Sequence, residues 1–172
     1  MDRRYVLSVL VDNHSGVLSR VAGLFSRRGY NISSLTVGET EDPSVSRITI
    51  MLYGDEYILD QIKKQLGKLI DVRSITELKT DSAVFRELIL IKVKADDKTR
   101  AAIIEIANIF RAKVIDISQE TLTMEITGEQ SKAQAFIEMM EVYGIKEIAR
   151  TGLTALERGS IQLNKHTKFE EE

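Results

Sequence analysis

The chain has 172 residues, of which 43% are hydrophobic and 29% charged, a composition typical of a globular protein with one large or two small domains. Its 24 basic and 26 acidic residues give a formal net charge of -2, and no long basic run occurs, which argues against a nucleic-acid partner. Cysteine is absent, which excludes disulfides, thiolate catalysis and thiolate metal ligands.

The N-terminal residues show no signal for export or membrane insertion. They lead directly into an apolar run without the pattern of a signal peptide. No apolar stretch in the sequence approaches the ~20 residues that are needed to span a bilayer. We therefore expect a cytoplasmic protein that has no membrane partner.

The first half of the chain predicts six elements in the order β-α-β-β-α-β. Apolar residues at helical spacing predict a first helix over 16–28, which ends at Gly29 because glycine readily adopts a left-handed conformation. Asp55 is the predicted cap of a second helix, whose apolar face extends to Leu69. Short apolar or alternating runs predict strands at 5–11, 31–37, 46–53 and 72–78.

The second half of the chain repeats the same order of elements. One helix is predicted to begin after Asp96 and Asp97, and another to stop at Gly144. The strands of this half are predicted at 86–94, 114–117, 122–126 and 145–150. The repeated pattern predicts an α+β protein made of two ferredoxin-like βαββαβ domains, each an antiparallel sheet with helices on one face.

The predicted domains occupy residues 1–79 and 84–158, and residues 159–172 are expected to form a flexible tail because they lack periodicity. A sheet with helices on one face has an open face and two unpaired edges. A core built from about 75 residues is also marginal. We therefore expect each domain to be stabilised by pairing with another copy, which would create ligand sites at the seam.

The loop that follows the first strand is the most informative segment. It joins a strand end to a helix start, where free backbone N–H groups favour an anion such as a carboxylate. Gly16 in the first helical turn costs roughly 1 kcal/mol of helix propensity, which is reasonable if a ligand must approach the backbone there. Asn13 offers both a donor and an acceptor. The alternative interpretation is an ordinary loop in which Ser15 caps the helix.

Asn31 is a second candidate polar contact, although an asparagine after a glycine is also ordinary turn chemistry. Asn13 and Asn31 lie at opposite ends of the first helix, which places them roughly 20 Å apart at 1.5 Å per residue. They can therefore bind one ligand together only across a seam between two copies of the chain.

Catalytic and metal sites are not predicted. His14 and His166 are the only histidines, and neither lies in a recognisable set of metal ligands. Residues 16–20 match the Gly-Val-x-x-Arg fragment of acylphosphatases, but the charge of Asp12 in the same loop would repel a phosphate. A small hydrolase is therefore a minor alternative.

Two segments of the first half resemble an ACT domain, the amino-acid-binding module of many regulated metabolic enzymes. They are residues 9–18 and residues 23–32. Residues 33–37 and 42–47 narrow the resemblance to the small subunits of acetolactate synthase. Residues 110–118 and 150–159 also resemble the C-terminal half of that family, so the resemblance covers nearly all of residues 2–159.

The resemblance implies a non-catalytic regulatory subunit that forms a homodimer through its ACT domains. A separate large catalytic subunit would hold thiamine diphosphate, magnesium and FAD, and this chain would bind no cofactor. The small subunit would activate that partner and confer feedback inhibition by valine. The residues that the resemblance assigns to valine binding are Asn13, Gly16, Val17, Leu18, Asn31, Ile32 and Gly38.

A free-standing amino-acid sensor of the ACT type that controls gene expression is the alternative function. Such a sensor would need a basic surface for nucleic acid, and the balanced charge argues against one.

Overall fold

The computed structural model describes residues 3–160, which form two compact units. The first unit contains residues 3–84 and also the segment from Leu153 to Ser160. The second unit contains Phe85–Gly152. Within residues 3–160, no helix has the length and apolar character needed to cross a membrane.

The first unit is a four-stranded antiparallel sheet with two helices, and its strand order is β2-β3-β1-β4. Its elements are β1 (Arg3–Asp12), α1 (Val17–Arg28), β2 (Ser34–Glu39), β3 (Val45–Gly54), α2 (Glu56–Gly67) and β4 (Val72–Glu77). This is the predicted βαββαβ order, in which β2 and β4 are the edge strands.

The second unit repeats that topology with the strand order β6-β7-β5-β8. Its elements are β5 (Ala83–Lys94), α3 (Arg100–Ile109), β6 (Lys113–Ile117), β7 (Thr121–Gly128), α4 (Gln130–Glu141) and β8 (Ile145–Arg150). The short strand β9 (Thr154–Glu157) belongs to the segment of the first unit and pairs with β5, whose first two residues, Ala83 and Val84, are also assigned to the first unit. The prediction of two ferredoxin-like units is therefore confirmed.

The core of the first unit lies between its sheet and its helices. Alternate residues of β1, such as Leu7 and Val9, point into it and are fully buried. Phe25 of α1 and Ile62 of α2 close it from the helical side. Burying each of these side chains contributes about 1.5–3 kcal/mol. As predicted, α1 ends at Gly29, whose φ of 68° is left-handed.

The other face of the first sheet is not open as expected, because the intervening residues Val6 and Leu10 are also buried. The C-terminal segment contributes to this cover. Ser34 pairs with Met51, which pairs with Val6, so the three side chains share this second face. The backbone N–H of Leu153 donates to Ser34 Oγ at 2.8 Å. The segment from Leu153 therefore returns to the first unit.

The second unit has its core on one side of its sheet. Ile89, Ile91 and Val93 of β5 are buried, whereas Leu90 and Lys94 are exposed. This alternation is typical of a sheet with one solvated face. The core is completed from the helices by Ile103, Ala107, Phe136 and Met140.

Several predicted boundaries differ from the observed ones. The second strand begins at Ser34, so Asn31 lies in the preceding loop. The helix α1 is capped by Gly16, and Ser15 is not its cap. The last strand, β9, was not predicted, because its four residues carry too little alternation to be recognised. Asp55 caps α2 as predicted, and its carboxylate accepts from the N–H of Ile58 at 2.8 Å.

Candidate functional site

The predicted loop between β1 and α1 is built around Gly16. Its φ of 88° is in the left-handed region that favours glycine, and its carbonyl accepts the N–H of Arg20 at 3.0 Å to begin the helix. Since glycine has no side chain, it provides no side-chain cap for the leading N–H groups of α1, and the first turn contains no acidic residue. The start of α1 therefore offers donors and a positive dipole end to an anion.

The side chain of Asn13 is held in place by the hairpin between β2 and β3. Its Nδ2 donates to the backbone carbonyl of Pro43 at 2.8 Å and to Glu39 Oε2 at 3.2 Å. Its backbone N–H donates to the carbonyl of Ser44 at 2.9 Å. Because both donors of the amide are used, Oδ1 is the side-chain atom that can engage a ligand, and it does so as an acceptor.

Asp71, which precedes β4, supports the same loop from the other side. It is only 5% exposed, although it is ionisable. Its Oδ2 accepts from Arg20 Nε at 2.7 Å, and its Oδ1 lies 3.2 Å from His14 Nε2. Its backbone carbonyl accepts the N–H of Asp12 at 2.9 Å. The hydrogen bond from Arg20, with the charges of Arg20 and His14, lowers the pKa of the Asp71 carboxyl below its ordinary value.

Asp12, His14 and Asp71 bring three groups of the kind that bind metals within 4.8 Å of one another. Both carboxylates are already engaged by guanidinium groups, because Arg73 Nε lies 2.5 Å from Asp12 Oδ1 and Arg20 binds Asp71. The positive charges of two arginines this close to the carboxylates would repel a metal cation. The cluster is therefore an ion-pair network that braces the loop.

Asn13, Gly16, Val17 and Leu18 lie together at one end of α1. Val17 is buried in the core of the unit, whereas Leu18 is 43% exposed beside the loop. Gly38 lies on the edge strand β2, where an added Cβ would meet nothing within 4 Å.

Asn31 and Ile32 follow the opposite end of the same helix. Asn31 is exposed and Ile32 is half-buried against the core. The 12 residues of α1 separate the two groups by roughly 18 Å. One chain therefore does not bring Asn13 and Asn31 to a common ligand.

Glu39, Pro43 and Asp71 were missed by the sequence analysis. Glu39 and Pro43 contact Asn13 across 26 and 30 positions of the sequence, respectively. Asp71 contacts Arg20 across 51 positions. No local pattern predicts such contacts, although an acidic residue next to the start of a buried strand was a visible signal for Asp71.

The fold and the loop together define a protein of the ACT class, with two βαββαβ units and a strand-to-helix loop in which Gly16 leaves the start of α1 without a side-chain cap. Residues 7–74 match the AHAS small subunit-like ACT domain, and residues 86–159 match the small subunit of acetolactate synthase. The chain belongs to the family of acetolactate synthase small subunits.

Three relatives illustrate the similarity. A probable acetolactate synthase small subunit from Archaeoglobus fulgidus is 50% identical over 157 residues, which cover 91% of this chain and 98% of that protein. The acetolactate synthase small subunit from Mycolicibacterium smegmatis is 53% identical over 90% of this chain and 91% of its own length. The crystal structure of the small subunit from Thermotoga maritima, at 45% identity, has a TM-score of 0.85 and covers 92% of this chain and 99% of that one.

Proposed function

We propose that this chain is the regulatory subunit of an acetolactate synthase, that it activates the large catalytic subunit, and that it confers feedback inhibition by valine. The family assignment supports the pairing with a catalytic chain, which would carry thiamine diphosphate, magnesium and FAD. The observation that carries the effector proposal is the arrangement of Asn13. Its amide is held by Glu39 and Pro43 so that Oδ1 remains as an acceptor beside the start of α1.

This arrangement suits the two charged ends of an α-amino acid. The carboxylate of valine would accept from the leading N–H groups of α1, at Val17 and Leu18. Its ammonium group would donate to Asn13 Oδ1, and the nearby charge of Glu39 favours the same orientation. Burial of the isopropyl group contributes about 1.5–2 kcal/mol. Feedback inhibition needs a coupling of only about 1–3 kcal/mol between the effector site and the catalytic partner.

The complete site would form between two copies of this chain. Asn31 and Ile32 lie too far along α1 to reach the loop of their own chain, so they would come from the second copy. The exposed apolar residues Leu18 and Val37, each 43% exposed, lie on α1 and on the edge strand β2. An edge strand beside exposed apolar side chains is a suitable surface for pairing with another sheet.

The test is to purify the chain with its catalytic subunit and to measure acetolactate synthesis against valine concentration. We expect activation by the small subunit and inhibition that rises with valine. Replacing Asn13 with alanine should abolish the inhibition, whereas Asp97→Ala, in an exposed position of the second unit, should not. Inhibition that survives Asn13→Ala contradicts the site. Absence of binding to any catalytic subunit contradicts the function and favours a free-standing sensor.

A further inference from the structure

Asp71 is a buried carboxylate that belongs to no predicted binding set, and it joins three parts of the first unit. It contacts the end of β1 through Asp12, the loop through His14, and α1 through Arg20. A buried carboxylate is costly unless it is paired and hydrogen-bonded, so these contacts must be maintained in the folded state. The position of the loop is therefore tied to Asp71.

Arg20 transmits this restraint to the start of α1. Its Nε is bound by Asp71 at 2.7 Å, while its Nη1 lies 3.0 Å from the position that a Cβ on Gly16 would occupy. The guanidinium group therefore lies directly beside Gly16. Gly16 immediately precedes Val17 and Leu18, whose N–H groups are at the start of α1. Any movement of Arg20 away from Asp71 changes the surroundings of the first turn.

We propose that Asp71, acting through Arg20, is a positioning residue of the effector site. The inference rests on the proposed function, because it concerns binding at the same loop. The donors at the start of α1 and the acceptor on Asn13 belong to different elements, and a zwitterion needs them at a fixed separation. Asp71 supports α1 from the residue before β4, as Glu39 supports Asn13 from β2. Small displacements in such a site lower affinity markedly.

The experiment uses the full chain and isothermal titration calorimetry with valine. The variants are Asp71→Asn, Arg20→Gln and the double variant, and each is first checked for cooperative thermal unfolding. The matched control is Glu77→Gln. It removes the charge of a partly buried acid at the other end of β4, whose Oε2 is paired with Lys63 Nζ at 2.9 Å. We expect each single variant to raise the valine Kd about tenfold and the control to change it less than about twofold.

The double variant separates positioning from general destabilisation. If both residues act through one ion pair, the double variant should bind valine about as weakly as either single variant. Equal affinity of folded Asp71→Asn and the wild type, or additive losses in the double variant, would overturn the inference.

A second measurement needs no ligand. Hydrogen exchange of the amides of residues 14–18 should be faster in Asp71→Asn than in the wild type, with little change in Glu77→Gln. If valine does not bind the wild type, the proposed effector is wrong, and unchanged exchange then overturns the positioning role independently.

Discussion

The side-chain amide of Asn13 donates to Glu39 Oε2 at 3.2 Å, so a residue of the strand-to-helix loop takes its orientation from the edge strand β2. The amide also donates to the carbonyl of Pro43 in the same hairpin. An asparagine can present either a donor or an acceptor, and these two contacts select the acceptor. In the proposed site, recognition of an ammonium group would thus depend on a hairpin that the loop's own sequence does not include.

Replacement of Glu39 with alanine should weaken valine binding. The amide of Asn13 loses one acceptor. A hydrogen bond to a charged group is worth about 1.5–3 kcal/mol, so the affinity for valine should fall by at most roughly 10- to 150-fold. Titration calorimetry of the full chain measures the change. Glu56→Ala is the control, because it removes the same charge from an exposed side chain outside the loop, whose Oε1 lies 3.7 Å from Arg3 Nη1. Equal effects of the two substitutions would show that only net charge matters.

Replacement of Gly16 with alanine should affect both stability and binding. A left-handed backbone costs a non-glycine residue about 1–2 kcal/mol, and the new Cβ would also lie 3.0 Å from Arg20 Nη1. Gly29→Ala is a matched control, since Gly29 has a φ of 68° but no neighbour within 4 Å of an added Cβ.

Urea unfolding should show a lower free energy of unfolding for both glycine variants than for the wild type. Only Gly16→Ala should also lose the response to valine. A parallel loss in Gly29→Ala would mean that destabilisation of α1, rather than the local contact with Arg20, accounts for the result.

Asp96 should make the stability of the second unit depend on pH. The backbone N–H groups of Thr99 and Lys98 lower the pKa of this carboxyl, and the Thr99 hydroxyl adds to the effect. A lowered pKa in the folded state means that the ionised form favours folding. The contribution is therefore present above the unfolded pKa of about 3.9 and is lost as the pH falls through the lower folded value.

The experiment compares the urea unfolding of Asp96→Asn with that of the wild type between pH 2 and pH 7. Unfolding is monitored by signals that come from the second unit. The difference in unfolding midpoint should be constant above about pH 5 and should shrink steadily below pH 4. Asp97→Asn is the control, because the side chain of Asp97 is 97% exposed. A difference that does not change with pH would contradict the role assigned to the charge of Asp96.

Replacement of Val37 with glutamate should weaken self-association of the chain. Val37 lies on the edge strand β2 and is 43% exposed, so a charge there would be buried without a partner in a dimer that pairs these edges. Sedimentation velocity over a range of concentrations should show a shift from dimer to monomer. Val142→Glu is the control, because Val142 is 85% exposed in the second unit. A dimer that tolerates Val37→Glu would place the seam elsewhere.

The features that the sequence predicted correctly depend on residues within one helical turn of each other. Asp55 binds the N–H of Ile58, three positions away, and Gly29 closes α1 by donating to carbonyls within the last turn. The order of elements also follows from apolar periodicity, which is a local property.

The supports of the site were not predictable in this way. Asp71 and Glu39 act through contacts with residues 51 and 26 positions away, respectively. The position of Asp71 before a buried strand marks it as unusual, but nothing in the sequence indicates its partner Arg20. Pro43 contributes a backbone carbonyl, which no side-chain pattern reveals. The atoms that could touch a ligand were therefore visible in the sequence, whereas those that hold them in place required the fold.

The hydrogen bond between Leu153 and Ser34 spans 119 positions of the chain, and this separation determines when the first unit can finish folding during translation. All elements of the second unit, Phe85–Gly152, must be translated before the C-terminal segment can reach the first sheet. At 5–20 residues per second this takes roughly 3–14 s. During that interval the face of the sheet around Ser34, Met51 and Val6 lacks the C-terminal segment. The nascent chain therefore presents apolar surface that chaperones or other nascent chains can bind.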